Sequence, residues 1–254
     1  VRIAVISAWH NEAVLAPFFL GHYSWADRIH LIIGDDTTDG TLAICARYRN
    51  VWIDQFTFPS RLLNDTLKIK KFNALSQTYA HEDEFNWIIA VDADEFIFAP
   101  HGEPPRDCLA RQAGNLLYAE MWQVYRHLSE SDLDPSRPAL GQRQHGNPRV
   151  HHIKPIIVRA KVAIEWETGH HGYIKNSRVL PSPNVFCAAH WAMADADLAI
   201  ARYIAGRRDR MSQENLQKNH GVHTFNLTEE SIRAECAAHL EDPLLEQIAD
   251  GGGR

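Results

Sequence analysis

Trp87-Ile88-Ile89-Ala90-Val91-Asp92-Ala93-Asp94-Glu95-Phe96 is the stretch whose reading decides the fold. Its first half carries large and β-branched side chains without alternation, the pattern of a central strand covered by helices on both faces. Asp92, Asp94 and Glu95 end the run, so acidic groups stand at the strand's carboxyl end, where open α/β sheets collect ligands. Asp92 and Asp94, two residues apart, can project the same way. Convergent carboxylates in a partly enclosed cleft repel and lose hydration; oxygen ligands around Mg2+ or Mn2+ turn that cost into a binding site. The same residues can also close a strand in a solvated turn, and it is the buried strand in front of them that argues for a site.

Outward from this strand, residues 2–8 are a β-branched apolar segment, followed by the polar turn Trp9-His10-Asn11-Glu12 and apolar residues at helical spacing over 13–23. Asn11 can cap that helix, and Glu12 suits the positive end of its dipole. A second strand spans 28–34. It runs into Asp35-Asp36-Thr37-Thr38-Asp39-Gly40, a turn dense in residues that bond their own backbone, and then a helix over 41–48. A strand over 51–56 and a basic-edged helix over 67–79 lead back to the central strand. This alternation predicts an α/β fold with a mostly parallel, doubly wound sheet.

Past residue 98 the rhythm ends. Pro100, Pro104 and Pro105 break the chain; a short helix over 107–112, strands over 116–125, 153–158, 162–166 and 187–191, and helices over 195–205 and 231–239 follow. Residues 127–149 are polar and aperiodic, which predicts a mobile lid or binding loop. Residues 250–254 read as a frayed end.

At 254 residues the chain suits one large domain, 1–254. Its net charge of −6, with no basic block, excludes an electrostatic nucleic-acid footprint. Cys45, Cys108, Cys187 and Cys236 form no Cys-x-x-Cys pair, so reduced thiols are expected. No apolar run is long enough to span a bilayer, no signal-peptide pattern is present, and a cytoplasmic location is expected. Oligomeric state is not specified.

Three motifs in order carry a resemblance. Asn11-Glu12 after the first strand, Asp35-Asp36-x-Thr38-Asp39-Gly40-Thr41 after the second, and the Asp92-Ala93-Asp94-Glu95-Phe96 run resemble the family 2 type nucleotide-sugar glycosyltransferases of the GT-A fold. The nearer likeness is to a branch with an extended Asp-x-Asp-Glu-Phe motif, followed by Lys154-Pro155-Ile156, Arg159, a Gly-His element and a late His-aromatic pair. Residues 2–98 are covered well and 150–200 loosely.

This resemblance implies a GT-A type domain with a nucleotide-sugar-binding half, 1–98, and an acceptor-side half with a smaller sheet and C-terminal helices, 99–254. It also implies a UDP-sugar or related nucleoside-diphosphate sugar as donor, and a glycan or other hydroxyl acceptor. Ala8, Asn11, Glu12 and Asp35 would hold base and ribose, with Asp35 accepting the imide N–H of uracil. Lys71, or its neighbour Lys70, would face the diphosphate, and Asp92 and Ala93 would line the donor. Asp92, Asp94 and His190 would bind Mn2+ or Mg2+, whose charge supports the departing nucleoside diphosphate. Inversion at the anomeric carbon needs a base for the acceptor hydroxyl. Glu167 is preferred, at a strand end before a glycine-bounded turn. Asp195 is the alternative, with Asp197 and Glu165 behind it, although Asp195 and Asp197 also suit the first turn of a helix. One of His170 and His171 would line the acceptor side and the other would be structural.

Two other functions compete. A nucleotidyltransferase uses a similar sheet and paired carboxylates, but its phosphate grip normally follows the first strand, where this chain has Ala8-Trp9-His10-Asn11-Glu12. A non-catalytic sugar-nucleotide or glycan-binding module is the third reading. Adjacent histidines at 151–152 and 170–171 do not favour a metallohydrolase, because neighbours on a strand point to opposite faces.

Overall fold

The apolar strands do assemble into one sheet. The computed structural model describes residues 1–82, 84–174, 178–182, 186–246 and 248, and an eight-stranded sheet of order β3-β2-β1-β4-β7-β6-β8-β5 runs through them. Its first half is parallel: β1 (Ile3–Trp9), β2 (Arg28–Gly34), β3 (Val51–Phe56) and β4 (Trp87–Ala90). The second half holds β5 (Glu95–Phe98), β6 (Leu116–Tyr125), β7 (His145–Arg159) and β8 (Phe186–Met193); β7 runs antiparallel to both β4 and β6. The expected α/β class is therefore present, but the strands of the second half form no smaller sheet of their own: β7 pairs with β4 and carries them into the same sheet.

Alternation along the strands sorts the core onto two faces. Ile3 and Val5 pack with α1 (Ala16–His22), α2 (Thr41–Cys45) and α4 (Pro105–Ala110), while Ala4 and Ile6 pack with α3 (Asp65–His81). Because α3 returns the chain across β1, the strand order reverses between β1 and β4. A crevice opens at such a switch point, outside the carboxyl ends of the strands. Asn11-Glu12 and Asp92-Ala93-Asp94 leave those two ends.

The central run does not stay one strand. Val91 still donates its N–H to Ile6 O (3.1 Å), but Glu95 N turns back to Asp92 O (3.1 Å), and Glu95–Phe98 then joins β8 antiparallel. Tyr23 fixes the exit: its hydroxyl donates to Glu95 O (2.7 Å) and accepts from Ile97 N (3.0 Å). Asp92 and Asp94 thus occupy a hinge between two strands.

Other expectations are corrected. Asn11 does not cap α1; it takes a left-handed backbone (φ 52), and Leu15 precedes the helix without a side-chain cap. Strands expected over 153–158 and 162–166 become one long β7 and an isolated Trp166–Tyr173 bridge. The expected lid over 127–149 contributes no described residue to the cleft; Arg143, fully buried, ties it down by donating to Ala194 O (2.8 Å), Ser131 O (2.9 Å) and Gln142 O (2.7 Å). The helix expected over 195–205 is α5 (Ala196–Ile200), widening into a π-turn over Ala201–Arg207. The last helices are α6 (Gln213–Gln217), α7 (Val222–Phe225) and α8 (Glu229–Ala238). The expected frayed end, 250–254, lies outside the described residues. No helix among the described residues is long and apolar enough to cross a membrane.

Candidate active site

The crevice at the switch point is a cleft of about 530 Å³. On one side lie Ala8 near the end of β1 and Asn11 and Glu12 after it; on its floor lie Asp92, Ala93 and Asp94; the far wall comes from β7, the turn after it, β8 and the π-turn. Four elements remote in sequence therefore meet the strand-end carboxylates.

Each carboxylate that lines the cleft faces a cation. Lys68 on α3 donates to Asp92 Oδ1 (2.6 Å). Arg202 on the π-turn donates through Nη1 to Asp94 Oδ2 (2.6 Å), and through Nε and Nη2 to both oxygens of Glu12 (3.0 and 3.1 Å). Lys154 on β7 donates to Glu95 Oε1 (2.6 Å), while Glu95 Oε2 accepts the N–H of Asp92 (3.0 Å) and so braces the acidic turn from behind. Asp65 lies 3.7 Å from Arg207. Burial pushes the Asp94 carboxyl up, but Arg202 and then His190 outweigh it and hold it down to about 2. Burial acts the same way on Asp92, where Lys68 and Lys154 prevail and keep its pKa well below the usual carboxylate range. For Glu12 burial wins over Arg202, and its pKa is raised.

Two of the three expected metal ligands come together. His190 Nε2 lies 3.6 Å from Asp94 Oδ2, and its Nδ1–H donates to Gln123 Oε1 (2.8 Å), which turns Nε2 toward the carboxylate. Asp92 is turned toward Lys68, and among the described residues no group of three or more His, Cys, Asp or Glu surrounds one point. A carboxylate oxygen and an oriented imidazole suit a borderline cation that completes its shell with phosphate and water oxygens. Arg202 holds the same Asp94 oxygen, so such an ion would have to share that carboxylate with the guanidinium and take most of its ligands from substrate and water.

On the donor side, Asn11 Oδ1 accepts from Thr38 N (2.8 Å) and Asp39 N (3.4 Å), locking the loop after β1 to the loop after β2. Asp35 is exposed, accepts from the Thr57 hydroxyl (2.6 Å) and does not line the cleft. Its neighbour Asp36 does not line the cleft either, but it is enclosed, 2.6 Å from Arg210 Nη2 and 3.5 Å from His10 Nε2, both of which do. Lys71 lies outside too, over the Phe56 ring at 4.6 Å. Lys68 takes the place expected of it; the signal available was helical spacing, since Lys68 shares a face with the buried Asp65, Ile69 and Phe72 whereas Lys70 and Lys71 are exposed.

Neither expected base reaches the cleft. Glu167 is exposed and folds against Gly172, where an added Cβ would lie 2.4 Å from its Oε2. Asp195 caps α5, accepting from Asp197 N (3.0 Å) and Leu198 N (3.4 Å), with Arg143 3.5 Å away, so its structural role takes the whole carboxylate. Asp197 pairs with Arg233 on the surface, and Glu165 is exposed. The two histidines divide. His171 lines the cleft, whereas His170 is fully buried between Phe72 and Trp166 and its pKa is lowered to about 3, chiefly by burial.

No family model matches this chain, and no curated protein matches it. Among solved structures, it is similar to a 4-diphosphocytidyl-2C-methyl-D-erythritol synthase, at 11% identity over 63% of this chain and 76% of that one, with a TM-score of 0.36. It is also similar to the synthase of that name from Anaerococcus prevotii DSM 20548, at 14% identity over 63% and 72%, with a TM-score of 0.32. Both are partial likenesses of fold.

The positive groups that sequence reading passed over come late in the chain. Arg207 and Arg210 stand on the far wall with Arg202, and His220 and Gly221 close it. Gly221 takes a left-handed backbone (φ 66), and a Cβ there would meet Arg207 Nη2 at 3.3 Å. This wall is rich in donors and can bind phosphate oxygens.

Proposed function

We propose that this chain is a metal-assisted glycosyltransferase that moves a sugar, with inversion, from a nucleoside-diphosphate sugar to a hydroxyl acceptor. The observation that carries the reading is the facing pair Asp94 and His190 at the β1/β4 switch point. A divalent cation held by these two residues would supply positive charge to the leaving diphosphate. The protein's own part is to place the donor. Asn11 holds the two loops that would receive base and ribose, Lys68, Arg202 and Arg207 offer charge to the phosphates, and Glu95 keeps the Asp92 turn in position. Such preorganised donors stabilise developing charge without reorganising at the moment of reaction.

A second reading is nucleotidyl transfer. The loop after β1 lacks a basic phosphate grip, but Lys68, Arg202, Arg207 and Arg210 supply one from elsewhere in the chain. The names of the two similar solved structures also fall on this side.

Product analysis tests both. The protein is incubated with a panel of sugar nucleotides, or of nucleoside triphosphates and sugar phosphates, with Mn2+ or Mg2+. Release of nucleoside diphosphate supports glycosyl transfer, and release of pyrophosphate supports the second reading. Nucleotide binding without either product would leave only a binding module.

A further inference from the structure

A hydroxyl acceptor needs somewhere to leave its proton, and the described acids of the cleft are all committed. Glu12 and Asp94 share Arg202, Asp92 holds Lys68, Glu95 holds Lys154, and Asp65 faces Arg207. A carboxylate held by a cation at 2.6 Å is a weak proton acceptor, because protonation would forfeit the ion pair. The imidazoles that line the cleft differ among themselves. His10 faces Asp36, His190 is fixed by Gln123, and His220 has its Nδ1 sealed from solvent.

His171 is built otherwise. It projects from the turn after β7 with its ring exposed to the cleft, and among the described residues no hydrogen bond holds its ring nitrogens. The ring rests on Gly169, which takes a left-handed backbone (φ 74). A Cβ at Gly169 would lie 2.8 Å from His171 Cδ2 and 3.1 Å from Nε2, so any other residue would displace the imidazole. His152 on β7 sets its ring edge-on against it, with centroids 6.0 Å apart.

We propose that His171 is the general base that takes the proton of the acceptor hydroxyl, the role a carboxylate would otherwise fill. This rests on the proposed transfer to a hydroxyl. In that step the acceptor oxygen bonds to the anomeric carbon, and the bond from that carbon to the β-phosphate oxygen breaks with its electron pair leaving on the nucleoside diphosphate. The hydroxyl proton passes to a ring nitrogen of His171. In the nucleotidyl alternative the attacking atom is an ionised phosphate oxygen of the sugar phosphate, which has no proton to give up, so this role of His171 belongs to glycosyl transfer alone. The surroundings keep the ring neutral and ready: the enclosing protein, then Lys154 and His152, lower its pKa, Asp92 opposes them and His190 adds to them.

The test compares wild type with His171→Gln and His171→Gly, using the sugar-nucleotide panel with Mn2+ and both water and alcohols as acceptors. UDP affinity and the unfolding midpoint are measured in parallel. His171→Gln is expected to lower turnover about 100-fold or more while UDP affinity and stability hold. Added imidazole is expected to restore part of the activity of His171→Gly, which a purely structural histidine would not allow. Wild-type turnover matched by both variants, or lost together with UDP affinity, overturns the base and leaves the proposed transfer standing. A wild-type protein that releases no nucleoside diphosphate overturns the transfer, and the base with it.

Discussion

Arg202 joins Asp94 to Glu12: its Nη1 donates to Asp94 Oδ2 at 2.6 Å, while Nε and Nη2 hold both Glu12 oxygens at 3.0 and 3.1 Å. One side chain from the π-turn thus bridges the carboxyl ends of β1 and β4. Removing it in Arg202→Met leaves two buried carboxylates without their cation, and breaking such a pair typically costs about 3–5 kcal/mol. A bound Mn2+ would compensate in part at Asp94. The expected outcome in denaturant unfolding is a large loss of stability in the variant, and a larger stabilisation by Mn2+ there than in wild type; an equal Mn2+ effect in both would count against a cation at Asp94.

Asp94 and His190 should behave as one unit toward metal. With UDP present, Asp94→Ala and His190→Ala are each expected to abolish Mn2+ affinity, and the double variant to be hardly worse than either, because residues acting through one shared ligand are not additive. Asp92→Asn, which loosens Lys68, should weaken it far less. Mn2+ titration of these variants checks the ranking. An unchanged affinity in His190→Ala would leave this imidazole to Gln123 alone.

Base recognition should follow Asp36. That residue is enclosed between Arg210 and His10, whereas Asp35 is spent on Thr57 at the surface. Asp36→Ala is expected to weaken uridine-nucleotide binding about ten-fold, a loss of about 1.4 kcal/mol, and Asp35→Ala to change it little. Calorimetric titration with UDP separates the two, and equal losses would show that neither position reads the base.

Acid should destabilise the fold through His170. Its folded pKa of about 3 lies below the ordinary value of 6.5, so the unfolded chain takes up the proton first. The stability tied to the neutral ring is complete above about pH 6.5, falls as the pH drops below it, and levels off near pH 3, at about 1.4 kcal/mol per pH unit in between. His170→Leu is expected to flatten that part of the profile and to cost little at pH 7, since both ring nitrogens of the native residue lack partners. Urea unfolding of both proteins between pH 7 and pH 4 measures the difference.

The parallel half of the fold was legible because its signals are local. β2 and β3 fall at the residues expected, and the carboxylates of the central run stand at the switch point. What was hidden depends on partners far along the chain. Nothing near Asp94 announces Arg202, more than a hundred residues later, and nothing near Glu95 announces Lys154. The split of the central run into β4 and β5 follows from β8, which offers an edge the local pattern cannot reveal. Asp195 was the ambiguous residue, suited alike to a helix cap and to chemistry, and its two backbone bonds resolve it as a cap. Glu167 misled for another reason: the turn it begins is a tight, left-handed one, which sends the imidazole of His171 into the cleft and leaves the carboxylate outside.

The pairing of early acids with late bases also imposes an order of assembly. A nascent chain that has emerged only through β5 holds the acidic turn without Lys154 or Arg202, so like charges crowd the strand ends and the crevice has one wall. Long-range pairings of this kind form late, after the cost of closing the chain between them has been met. The cleft is therefore completed only once the π-turn docks, late in the chain's own synthesis.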